Sequence, residues 1–147
     1  MKKPAYIYTI TALLLISLVV LRAFEKNLFH DPLLSYFAND KYLTRPLPVL
    51  SRWHYVELLV RYILVSTLSI LILIILFPRL KIKKSLVILY AFTGLVLLIL
   101  FMLSYRFYDH LGYRPLFYIR RILTQPVLLF ILLPILFFLQ KFNPDNK

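Results

Sequence analysis

Leu86-Val87-Ile88-Leu89-Tyr90-Ala91-Phe92-Thr93-Gly94-Leu95-Val96-Leu97-Leu98-Ile99-Leu100-Phe101-Met102-Leu103 holds eighteen residues without a charge. A run of that length and character fits the hydrocarbon of a bilayer, not a water-soluble core. Three more runs flank it, at about 6–21, 62–77 and 127–139. None alternates apolar and polar positions, as the strands of a membrane barrel do. Helices that satisfy their own backbone hydrogen bonds are therefore expected, crossing at about 6–22, 55–77, 85–104 and 122–140. The fold class read from this is an all-α integral membrane bundle of four transmembrane helices, one domain over residues 1–147, with outer loops at 23–54 and 105–121.

Composition agrees. Apolar residues make up 61% of the 147, and mean hydropathy is +0.80. Cysteine is absent, which excludes a thiolate nucleophile or thiolate metal site. His30, His54 and His110 lie in separate neighbourhoods and read as interfacial hydrogen-bonding groups, with no metal site among them. Two glycines are too few for a phosphate-cradling loop. No catalytic constellation and no cofactor is expected. Ser66, Thr67 and Ser69 have no neighbouring base and read as hydrogen-bonding groups between helices.

The formal net charge is +12. It sits in short connections without a domain to form a groove, so lipid headgroups, not nucleic acid, are the expected partners. Lys2 and Lys3 precede the first run as in a signal peptide, but no small-x-small cleavage site follows, so an uncleaved span is expected. The acid-free basic turn of Arg79, Lys81, Lys83 and Lys84, together with the signal-like start, favours both termini in the cytoplasm. A plain count does not decide orientation, because lysines and arginines together are about as frequent in the connections on the opposite side.

Within the first outer loop, Asp31-Pro32 reads as N-cap and first residue of a short amphipathic helix on the membrane surface, ending at Asn39-Asp40. Trp53, Tyr55, Tyr105, Tyr108, Phe117 and Tyr118 read as an interfacial aromatic belt. Arg45-Pro46-Leu47 with Arg52 is echoed by Arg114-Pro115-Leu116 with Arg121, an echo read as coincidence in preference to duplication.

Charges near the spans are costly, roughly 2.5–3.5 kcal/mol each on insertion scales, so each needs a partner or a purpose. Glu57 stands one turn before Arg61 and is its expected ion-pair partner, the alternative being that Arg61 faces the bundle interior and binds something there. Arg22 and Glu25 are expected to pair at the end of the first span. Arg120 and Arg121, with Gln125, read either as headgroup anchors or as a pair gripping a carboxylate or phosphate. With Asp31 these residues form the candidate partner- or ligand-binding cluster: Arg22, Glu25, Asp31, Glu57, Arg61, Arg120, Arg121 and Gln125.

Two polar stretches, Arg22-Ala23-Phe24-Glu25-Lys26-Asn27-Leu28-Phe29-His30-Asp31-Pro32-Leu33 and Phe117-Tyr118-Ile119-Arg120-Arg121-Ile122-Leu123-Thr124-Gln125-Pro126, join Arg61-Tyr62 and the four-span pattern. Together they resemble the exosortase F system-associated membrane proteins of Bacteroidetes, over essentially the whole chain. His30 stands where that family has tyrosine. The resemblance implies a non-enzymatic accessory of a protein-sorting system that binds or stabilises an exosortase-type membrane enzyme or presents its substrate. The alternative is an independent membrane enzyme or transporter that handles a lipid or small anion through the arginines. A self-assembling structural protein is a third possibility. A ligand handler predicts a cavity reaching Arg61, whereas a scaffold predicts a packed interior.

Overall fold

The computed structural model describes residues 5–25, 29, 31–38, 46–78 and 82–142. The expected ends at Lys2-Lys3 and Lys147, the Asn39-Asp40 stop, Lys26, His30, Lys41, Arg45, and Arg79 and Lys81 of the basic turn lie outside these residues. Among the described residues the chain is an all-α membrane bundle. Its helices are α1 (Ala5–Ala23), α2 (Pro32–Ala38), α3 (Arg52–Leu76), α4 (Lys83–Arg106), α5 (Tyr108–Leu111), α6 (Tyr113–Thr124) and α7 (Val127–Phe142).

Three of them, α1, α3 and α4, are long and apolar enough to cross a membrane. At about 1.5 Å per residue, the 25 residues of α3 exceed the roughly 30 Å of a hydrocarbon core. The expected fourth span, 122–140, is instead divided. Helices α6 and α7 meet at a 60° bend, and together they would make a fourth crossing. Pro126 is the cause. It lacks an N–H and pushes the preceding residue out of helical geometry; Gln125 accordingly sits at φ −115°, ψ 149°. Pro134, by contrast, lies inside α7. The stretch 105–121, expected as a loop, is largely helical: α5 and α6 fill it, separated by Gly112 at φ +71°, a backbone that favours glycine.

Helix α3 is the hub, packing against α1, α4, α6 and α7. Its buried side chains divide the core in two. In the half toward Leu76, Val65, Ile72 and Leu73 meet Leu18 of α1, Leu86 of α4, and Leu129 and Leu136 of α7. In the half toward Arg52, Leu58 and Tyr62 meet Leu33 of α2, Phe101 of α4, and Leu116 and Leu123 of α6. Between α3 and α4 the backbones come close. Tyr62 lies across Gly94, where any Cβ would run into its ring, and its hydroxyl donates to the Tyr90 carbonyl at 2.6 Å.

The short helix α2 forms as the Asp-Pro signature requires. The Asp31 carboxylate accepts from Leu33 N at 3.0 Å, satisfying an orphan donor of the first turn. Leu33 and Tyr36 are buried against the bundle, and the Tyr36 and Tyr108 hydroxyls meet at 3.1 Å. Residues 46–50 are non-helical and are tied to α4 by Tyr105, whose hydroxyl accepts from Leu50 N and donates to the Pro48 carbonyl. Pro115-Leu116 lies within α6, so the echoed Pro-Leu segments do not share a conformation. The aromatic belt also divides: Trp53 and Tyr118 are exposed, whereas Tyr105 and Tyr108 are half-buried structural anchors.

Candidate functional site

Four elements deliver charge to one end of the bundle. The C-terminal end of α1 supplies Arg22, with Glu25 just beyond it. The N-cap of α2 supplies Asp31. The first half of α3 supplies His54 and Arg61, and α6 supplies Arg120. Arg61 is 2% exposed. Its Nη1 donates to Glu25 Oε1 at 2.6 Å and to Asp31 Oδ2 at 3.3 Å. Arg120 binds the same Asp31 oxygen through Nε at 3.0 Å and again through Nη2. Arg22 closes the chain by donating to Glu25 Oε2. Phe29 presents its ring 4.4 Å from the Arg61 guanidinium carbon, within cation–π range.

Both carboxylates are therefore shared between guanidiniums, the condition under which buried charge is tolerated. Burial alone would push the Asp31 carboxyl up. The Arg120 guanidinium, through its charge and hydrogen bonds, together with His54 and Arg61, outweighs burial and holds it below the usual carboxylate range.

Most of the expected cluster is brought together, with two corrections. Arg61 ion-pairs with Glu25 and Asp31, not with Glu57; no ion pair joins half-buried Glu57 to a described residue. Helical spacing put Glu57 within reach, but Arg61 points into the bundle, where two carboxylates from other elements wait. The arginine pair is also divided. Adjacent helical residues diverge by about 100°, so Arg120 turns inward to Asp31 while Arg121 stays exposed. They do not grip one anion together. Arg121 belongs with Gln125, whose amide, oriented by its donors, accepts from Arg121 Nε and Arg22 Nη2, each at 3.2 Å.

His54 was not in the expected cluster. It is buried, its Nε2 lies 3.6 Å from Asp31 Oδ1, and neither ring nitrogen has a hydrogen-bond partner among the described residues, so the interfacial reading fails there. Its sequence signal was the seven-residue spacing to Arg61, which puts both on one face of α3 with Leu58 and Val65. Thr67 and Ser69 donate to carbonyls of their own helix, those of Ile63 and Val65. Among the described residues no group of His, Asp and Glu could hold a metal ion.

A cavity of about 350 Å³ adjoins the cluster. Its walls are Leu15, Leu18 and Val19 of α1, Val65 of α3, and Val127 and Phe130 of α7; Arg22, Glu25, Arg61, Thr124 and Gln125 form its polar end. The bend at Pro126 also borders it. The interior is thus not fully packed at Arg61, the feature expected of a ligand handler. Comparison with protein-family models, curated proteins and solved structures gave no match.

Proposed function

We propose that this chain is a non-enzymatic accessory protein of an exosortase-type sorting system in a bacterial inner membrane, with both termini in the cytoplasm. The observation that carries this reading is the ion-pair network joining α1, α2, α3 and α6 at one end of the bundle. Both carboxylates are saturated by guanidiniums, and a saturated network holds a surface in a fixed shape. Such a platform suits docking a membrane enzyme or presenting its substrate. The likeness of residues 22–33 and 117–126 to the exosortase F system-associated proteins supplies the partner.

Capture of the tagged chain from its native membranes in mild detergent, read by mass spectrometry, tests the proposal. Co-purification of an exosortase-type enzyme, weakened by Arg121→Ala on the exposed side of α6, is expected. Recovery of the chain without any such enzyme would overturn it.

The second reading is an independent membrane protein that handles a lipid or small anion. The cavity reaching Arg61 favours it.

A further inference from the structure

The cavity between α1, α3 and α7 combines two features that seldom coincide. Its walls are aliphatic and aromatic, and its polar end carries guanidinium. Arg61 lines it while buried to 2% exposure, and its Nε has no hydrogen-bond partner among the described residues.

Charge points the same way. Four guanidiniums gather here, those of Arg22, Arg61, Arg120 and Arg121, against the carboxylates of Glu25 and Asp31. Positive charge is in excess even when Glu57, which acts on His54, is included. Arg22 is half-exposed, at 49%, and Gln125 links it to exposed Arg121. The excess is thus presented next to the cavity as two forked donors suited to phosphate oxygens. The volume lies within the range of small-molecule pockets.

We infer that this cavity seats the phosphate and the adjoining stretch of one acyl chain of an anionic glycerophospholipid, whose remainder lies in the surrounding bilayer. An acyl chain lies along Leu15, Val19 and Phe130, and the phosphate lies against half-exposed Arg22 at the polar end of the cavity, with Arg121 linked to it through Gln125. The bend at Pro126 opens the space that a continuous α6–α7 helix would fill. This site stands apart from the accessory role, since lipid retention and partner capture are read independently.

Native mass spectrometry of the purified full chain tests it, after exchange into detergent with phosphatidylglycerol or with phosphatidylcholine of the same acyl chains. One retained phosphatidylglycerol per chain is expected, with phosphatidylcholine lost. Arg22→Gln with Arg121→Gln should weaken retention about tenfold or more. Val19→Trp, which leaves every arginine in place and fills the apolar wall, should weaken it comparably. Arg106→Gln, an exposed arginine outside the cavity, should leave it unchanged. Equal retention of phosphatidylcholine, or an equal loss in Arg106→Gln, would overturn the proposal. So would thermal stabilisation by inorganic phosphate matching that by phosphatidylglycerol, which would make the site one for a small anion.

Discussion

Asp31 carries three duties at once: it caps α2, receives Arg120 and receives Arg61. Replacing it by alanine strands two buried guanidiniums, and removal of one member of a buried pair costs about 3–5 kcal/mol. A large drop in the thermal midpoint of the detergent-solubilised chain is therefore expected. Glu57→Gln should change stability by no more than about 0.5 kcal/mol, because Arg61 does not depend on it. Acid should act through the same residue. The folded-state pKa of Asp31 is below its ordinary value of 3.8, so its contribution is complete above that value. As pH falls through the folded-state value the unfolded chain is already protonated, and the contribution is lost. Thermal melts between about pH 6 and pH 2 should show this loss, and Asp31→Asn should flatten it. The charged residues themselves were legible in the sequence, since charge beside apolar runs is conspicuous. Their partners were not. Spacing within a helix suggests Glu57 for Arg61, but burial of a charge is resolved by whatever the fold brings near, and residues 36 and 30 positions away supplied it.

At the scale of elements, hydropathy located α1, α3 and α4 within about three residues, because solvation by lipid demands long uncharged helices. At the fourth it missed the 60° bend. Apolar residues continue across 122–139, so the sum over the window hides the break, while Pro126 acts locally on the backbone of Gln125. The helix α6 was missed because its alternation of Leu116, Arg120 and Leu123 reads as polar until one knows that Arg120 is buried. Two glycines decide geometry here. Gly94→Ala should drive a methyl into the Tyr62 ring, costing about 1–3 kcal/mol and loosening α3 from α4. A cysteine pair across that interface would report it as altered crosslinking. Gly112→Ala forces a side chain into φ +71°, ψ −172°, costing about 1–3 kcal/mol. The expected readout is earlier proteolysis between α5 and α6.

Over the whole molecule, the absence of cysteine makes single-cysteine labelling clean. Tyr118→Cys on α6 and Phe142→Cys at the end of α7 should react from opposite faces of a sealed vesicle if the bent pair completes a fourth crossing. Reaction from one face would make it a re-entrant pair. The basic side chains of Lys83 and Lys84 begin α4 at the end of the bundle remote from Arg61. Arg22, Glu25, Asp31 and Arg61 belong to or flank the first three helices and pair among themselves, two of each sign. Arg120 comes some sixty residues later and fastens to one of those carboxylates. That ion pair thus fastens the last pair of helices to a residue from the first third of the chain.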